Sequence, residues 1–322
     1  SSADGNSVCA EGAAGKGPAC EMSAPYGLLD RVLHRVAFAT PAVQDTLASM
    51  EQSLWPEAID RQPVSRPVFV CSLPRAGTTL ALQLLALHPD CVSQTYRDMP
   101  FARAPLLWRT LSRQFWTRGV ARERHHGDGM DFTLDSAEAF EEIVWLRYFP
   151  ELFTGVGIVP LSGGAETLRR ELGRHIKRVL ATADGDCGKS ARYVSKNNAN
   201  VSRIDSLRAA FPDARIIVLL RDPLEQAVSL HRQYLNFRAQ HDADAFALRY
   251  MRDLGHFEFG RLHRPILFPG VAELIQRHQP EELAYWIDYW RLAFDDLDQR
   301  SGVHIIDYDR LHAPGRIEAL FE

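Results

Sequence analysis

Two short apolar runs, Val68-Phe69-Val70-Cys71 and the stretch from Arg215 to Leu220, each stop at a turn and pass at once into a helical pattern. A strand with one face in water alternates apolar and polar residues, so a run without alternation fits a strand covered on both faces, the habit of parallel sheets. The second run belongs to a series in which Arg192 to Ser195 and Arg215 to Leu220 read as strands, and Val201 to Phe211 and Pro223 to Phe237 as helices. Strand and helix signals in alternation define an α/β fold with a central parallel β-sheet flanked by helices.

The rest of the chain adds to that frame. From Tyr26 to Ile59, apolar residues at three and four spacing predict two amphipathic helices, with Pro41 at a first-turn position. Leu106 to Trp116, Ala137 to Tyr148 and Glu166 to Leu180 predict a largely helical insertion at about 98–182. Glu281 to Leu297 is a further helix whose Tyr285, Trp286, Tyr289 and Trp290 read as core packing, and Val303 to Ile306 reads as one last buried strand. Residues 1–25, rich in Gly, Ala and Ser, read as a flexible N-terminal arm, which leaves 26–322 as a single domain. The sequence stops at Ala319-Leu-Phe-Glu322, inside an apolar pattern, as a chain cut from a longer one would.

Composition narrows the partners. A formal charge of −4 lacks the surplus of Lys and Arg needed to displace counterions from nucleic acid, so no nucleic-acid partner is expected, although a local basic pocket is compatible with it. Cys9, Cys20, Cys71, Cys91 and Cys187 show neither paired nor zinc-ligand spacing, so reduced thiols and no metal site are expected, with Cys71 a buried strand residue. No apolar run is long enough for a membrane span and no signal-peptide pattern opens the chain, which points to a cytoplasmic protein. Oligomeric state has no signature.

The segment after the first apolar run, Ser72-Leu-Pro-Arg-Ala-Gly-Thr-Thr79, leads into Leu80, Leu82, Leu84 and Leu85. Strand, tight loop and helix aim backbone N–H groups and a helix dipole at an anion. Gly77 lets the backbone approach a phosphate-like group, Arg75 supplies charge, and Thr78 and Thr79 offer hydroxyls. The loop is P-loop-like, yet in the register of the ATPase pattern Thr78 stands where the lysine should be, and no acidic residue ends the next buried strand to help hold Mg²⁺. A second candidate grip follows the strand ending at Leu220: Arg221 at its carboxyl end, Asp222 and Pro223 to cap and open a helix, and Ser229 on that helix's second turn. It is expected to hold a second anion some distance from the first.

These segments resemble the sulfotransferases that use 3′-phosphoadenosine-5′-phosphosulfate (PAPS), particularly their bacterial and tyrosylprotein-type branch. Pro74-Arg-Ala-Gly-Thr-Thr79 followed by His88-Pro89 is similar to that family's 5′-phosphosulfate loop, and Phe211 through Arg221-Asp-Pro223 to Ser229 to its 3′-phosphate element. Lys196-Asn-Asn-Ala-Asn200 and Tyr308-Asp-Arg-Leu311 resemble two further elements, so the likeness spans roughly 66–90, 192–235 and 281–322. It departs at Ser72, at Asn197-Asn198, and at Gln94 to Tyr96, where an acidic pair is common. The resemblance implies a P-loop-like fold, PAPS as donor with adenosine 3′,5′-bisphosphate (PAP) as product, and Arg75, Ala76, Gly77, Thr78 and Thr79 around the 5′-phosphosulfate. It further implies Arg221 and Ser229 on the 3′-phosphate and Lys196 near the bridging oxygen or the acceptor.

In-line sulfuryl transfer also needs a base for the acceptor hydroxyl, whether on a small molecule, glycan, lipid or peptide. Asp98 in Tyr96-Arg-Asp-Met-Pro100 is the first candidate; the competing reading is a helix cap or an ion pair with Arg97 or Arg103. His126, with His125 and Asp128 in a Gly-bearing loop, is the second, against a plain surface loop. The rival functions are a P-loop small-molecule kinase using Mg-ATP and a catalytically silent nucleotide-binding module.

Overall fold

The structure is a computed structural model that describes residues 27–113, 122–123, 131–132, 136–138, 140–183 and 191–308. The expected N-terminal arm, 1–25, lies outside them. Helices α1 (Leu28–Ala37), α2 (Pro41–Leu54) and α3 (Pro56–Asp60) precede strand β1 (Val68–Cys71), and α4 (Thr78–Ala86), β2 (Cys91–Val92) and α5 (Pro105–Ser112) follow. A two-residue ribbon, β3 (Arg122–Glu123) with β4 (Asp131–Phe132), leads to α6 (Glu142–Tyr148) and α7 (Ala165–Leu180). Then come β5 (Arg192–Lys196), α8 (Ile204–Ala210), β6 (Arg215–Leu220), α9 (Pro223–Ala243), α10 (Ala245–Leu254), α11 (Val271–Arg277), α12 (Leu283–Asp298) and β7 (His304–Asp307).

Among the described residues the main sheet has five parallel strands in the order β2-β5-β1-β6-β7, with β1 central: Val68 pairs with Val194 on one side and Arg215 on the other. Because side chains alternate across a strand, its two faces feed two cores. Val68, Val70, Val194, Ile217 and Leu219 pack against α4 through Ala81, Leu82 and Leu85. Phe69, Cys71, Tyr193, Ile216 and Val218 join the larger core with residues of α7, α8, α9 and α12. Cover on both faces is the reason these strands read as unbroken apolar runs. The buried Tyr285, Trp286 and Tyr289 of α12 are core residues, as expected.

Several expectations change in detail. The final strand is at the sheet edge rather than buried, with Ile305 54% exposed, because among the described residues β6 is its one neighbour. The two N-terminal helices are three, and α1 turns its apolar stripe of Leu28, Leu29, Val32 and Val36 outward while burying His34 and Ala37. His34 is drawn inward by Asp253 of α10, its Nε2 lying 3.1 Å from the carboxylate. Residues 198–202 are a 3₁₀ turn ahead of α8, and α6 begins only at Glu142 because Ala137 bridges Thr95. Among the described residues no helix is long and apolar enough to cross a membrane.

Candidate active site

All five strands run the same way, so the segments that leave their carboxyl ends meet along one edge of the sheet, the position where open α/β sheets bind ligands. There β1 delivers Ser72 to Gly77, β5 delivers Lys196 to Asn198, β6 delivers Arg221 and β7 delivers Tyr308.

The loop after β1 is shaped by two left-handed residues, Arg75 at φ 68° and Gly77 at φ 84°. For arginine that region is uncommon, and such conformations persist where the surroundings over-determine them. Three tethers do so. Ser72 Oγ donates to Leu219 O at 2.7 Å, locking the end of β1 to β6. The buried Gln226 of α9 donates through Nε2 to Leu73 O (3.2 Å) and Pro74 O (2.9 Å), while its Oε1 accepts from Trp290 Nε1 at 2.9 Å. Arg75 Nε donates to Ser229 Oγ at 3.0 Å, one helical turn beyond Gln226. At Gly77 the Tyr308 ring lies where a side chain would begin, so glycine is required by conformation and by space. Gly77 is the N-cap of α4, whose first N–H groups lack helical partners and form a ready anion seat. Ala76 contributes backbone alone, its methyl being buried in the α4-side core.

The second cation adjoins the first. Arg221 Nη1 donates to Arg75 O at 3.2 Å and Nη2 to Glu225 Oε2 at 3.0 Å, and its guanidinium lies 5.5 Å from the Tyr308 ring centroid. Asp222 and Pro223 cap and open α9 as expected, Asp222 Oδ1 accepting from Glu225 N at 2.8 Å. The two candidate grips, expected some distance apart, are contiguous, because β1 and β6 are neighbours and α9 folds back over the β1 loop.

Beside the loop, a pocket is lined by Arg75, Thr78, Thr79, Lys196, His256 and Glu258 among others. A polar chain crosses it: Thr78 Oγ1 donates to Asn198 Oδ1 at 3.4 Å, Asn198 Nδ2 donates to Glu258 Oε1 at 3.0 Å, and His256 Nδ1 lies 3.7 Å from Glu258 Oε2. Burial works against ionisation of Glu258, yet His256, the Lys196 ammonium and the Asn198 amide together hold its carboxyl down at about 2. Gly255, left-handed at φ 81°, ends α10 and brings this segment against α6, where an added Cβ would stand 2.5 Å from Glu142 Cγ.

Two buried carboxylates anchor the Lys196–Asn200 segment from below. Glu141 accepts from Ser195 Oγ (2.6 Å), Asn200 Nδ2 (2.7 Å), Trp145 Nε1 (3.1 Å) and Tyr193 OH (3.2 Å). Glu142 accepts from Asn197 Nδ2 at 2.6 Å and forms a two-bond pair with the fully buried Arg203, at 2.7 and 2.8 Å. Asn197 and Asn200, read in the sequence only as a motif, therefore fix the backbone that carries Lys196.

Asp98 is placed elsewhere. Fully buried in a 3₁₀ turn, it accepts from Arg109 Nε (2.6 Å) and Nη2 (3.1 Å) and from Thr95 N (2.9 Å), and it does not line the Lys196 pocket. His125, His126, Asp128 and residues 309–311 lie outside the described residues. Sequence reasoning missed Gln226, His256 and Glu258; a His and a Glu two apart after a helix-ending glycine was the one available signal for the pair.

The chain belongs to the sulfotransferase family, whose family model matches residues 67–263. The match takes in both grips, Lys196 and the His256–Glu258 pair; the likeness expected for 281–322 lies beyond it. An uncharacterized protein of Aquifex aeolicus (strain VF5) is 28% identical over 259 residues, which are 75% of this chain and 28% of that protein. Sulfotransferase STF1 from Mycobacterium tuberculosis H37Rv covers 91% of this chain and is itself covered to 76%, at 18% identity and a TM-score of 0.48. Sulfotransferase STF9 from Mycobacterium avium covers 93%, is covered to 86%, and gives 19% identity and a TM-score of 0.39.

Proposed function

We propose that the protein moves a sulfuryl group from PAPS to an acceptor hydroxyl by in-line displacement. The observation that carries this reading is the meeting of Arg75, Arg221, Ser229 and the α4 N-terminus beside the Lys196 pocket. A donor with phosphate at two positions suits such a double grip, and one buried donor supports the fit: Arg221 Nε makes no hydrogen bond among the described residues. The backbone from Arg75 to Thr79 and the Thr78 and Thr79 hydroxyls would hold the 5′-phosphosulfate, with Arg221 and Ser229 on the 3′-phosphate. Charge-assisted bonds of this kind contribute about 1.5–3 kcal/mol each. Bound there, the donor supplies the activated sulfuryl group. Lys196, held by the Glu141 and Glu142 scaffold, faces the position where negative charge would grow as the sulfur leaves phosphate, and preorganised positive charge is the main catalytic resource for such transfers. Asp98, with both oxygens engaged, anchors the turn that leads into α5. Residues 26–322 act as one unit whose helical stretch, 98–182, forms the acceptor side.

Incubation with PAPS carrying radiolabelled sulfate, over a native extract, tests the reading: label should move to a small molecule, glycan, lipid or peptide that gains the mass of SO₃. In thermal melts, PAP without metal should stabilise the protein. A shift with Mg-ATP alone would instead favour the kinase, and tight PAP binding without transfer the silent module.

A further inference from the structure

Sulfuryl transfer to a hydroxyl needs an acceptor for one proton, and the pocket beside the phosphate loop contains a group suited to it. His256 and Glu258 face Lys196, Arg75, Thr78 and Thr79 across this pocket, and His256 also borders the adjoining cavity lined by Glu142, Arg264, Trp286 and Tyr289. Their loop is held on both sides. Gly255 seats it against Glu142, and His263, half-buried beside Tyr285, donates from Nδ1 to Glu258 O at 2.7 Å while its Nε2 accepts from Tyr285 OH at 2.9 Å. Burial pushes the His263 ring down to about 4, so near neutrality it is a neutral brace that cannot itself take a proton there.

Resting on the transferase reading above, we propose that His256 is the general base of the reaction and that Glu258 positions it. The carboxylate 3.7 Å from Nδ1 favours the tautomer protonated on that nitrogen, which puts the basic lone pair on Nε2. As the acceptor oxygen forms its bond to sulfur, its proton passes to Nε2. The bond from sulfur to the bridging phosphate oxygen breaks, its electron pair leaves on the 5′-phosphate, and the imidazolium returns the proton to solvent.

The neighbouring candidates are less suited. A carboxyl held at about 2, as Glu258 is, takes a hydroxyl proton poorly near neutral pH, whereas proton transfer is most effective to a base matched to the working pH. Asp98 has both oxygens engaged by Arg109 and Thr95. Lys196, whose positive charge helps hold the Glu258 carboxyl down, is suited to the leaving oxygen. Among the described residues lining these two cavities, the charged groups that share them with His256 are Glu258 on its own loop, Lys196 from β5, Arg75 from the phosphate loop, Glu142 from α6 and Arg264.

The test compares wild type with His256→Gln, His256→Gly and Glu258→Gln, using labelled PAPS, the extract acceptor and calorimetric titration with PAP. His256→Gln should lower kcat by about 10²–10⁴ fold, the usual contribution of a general base, with PAP affinity changed less than about threefold and the acidic limb of the pH–rate profile removed. Added imidazole should restore His256→Gly, and Glu258→Gln should lose about tenfold in kcat and shift that limb, effects that loss of folding does not produce. Turnover of His256→Gln within about threefold of wild type, or loss explained by PAP affinity alone, overturns the assignment while leaving the transferase reading intact. Wild type that neither binds PAP nor transfers label removes both.

Discussion

Replacing Gly77 by alanine should damage the phosphate loop for two separable reasons. Its φ of 84° lies in the left-handed region, where an L-residue costs about 1–2 kcal/mol. The new Cβ would also overlap the Cδ2–Cε2 edge of Tyr308 and come within 3.3 Å of its Cζ, so the ring must move. Overpacking of this kind adds about 1–3 kcal/mol, which makes the Gly77→Ala total about 2–5 kcal/mol. In a Tyr308→Ala background the collision is gone and the backbone strain remains, so the second cost falls to about 1–2 kcal/mol. The double variant should therefore be more stable than the sum of the singles by about 1–3 kcal/mol, well beyond the roughly 0.5 kcal/mol error of additivity. Urea unfolding followed by tryptophan fluorescence supplies the four free energies, and titration with PAP reports the loop, for which Gly77→Ala should lose at least about tenfold in affinity, about 1.4 kcal/mol. Additive stabilities with undiminished PAP affinity would refute the close approach of Tyr308 to the loop.

Arg75→Ala and Arg221→Ala should each nearly abolish PAP binding in calorimetry while retaining a cooperative melt; wild-type affinity in both would contradict the double grip. Gln226→Leu should cost about 2–4 kcal/mol in urea unfolding, because it strands the carbonyls of Leu73 and Pro74 and the Trp290 N–H. Glu51 is fully buried, and burial raises its carboxyl to about 7 from 4.5 despite the Leu107 N–H at 2.8 Å and Arg178 at 3.6 Å. The folded state then holds a proton that the unfolded chain releases. The stabilisation is complete below about pH 4.5 and is lost as pH rises to about 7, by a total of about 3 kcal/mol. Glu51→Gln should flatten that slope and exceed wild type in stability at pH 8; an unchanged difference across pH 4.5–8 would count against it.

The central sheet could be read from the sequence because double cover leaves continuous apolar strands at β1 and β6. The loop and Asp222-Pro223 could be read because left-handed turns and helix starts use few residue types. Strand β2, two residues long, carries too little pattern to register. Helix α10 follows α9 with only Asp244 between them, without glycine or proline to mark the junction. An apolar run does not state its neighbours, so β7 gave no sign of being an edge, and the outward stripe of α1 none of its exposure. The site was half legible for the same reason: each grip sits on one local motif, whereas the partner of Asp98 stands on another helix at Arg109 and the His256–Glu258 pair meets Lys196 only through the topology. Contiguity of the grips depends on β1 lying next to β6, which no local spacing encodes.

Gln226 holds the arginine-bearing turn by an amide rather than by an ion pair. An amide neither titrates nor gathers counterions, so acidity and ionic strength leave this clamp alone while they act on the charged groups around it. Raising the salt should therefore weaken nucleotide binding without loosening the seat itself, and affinity and local rigidity become properties that a change of buffer can pull apart.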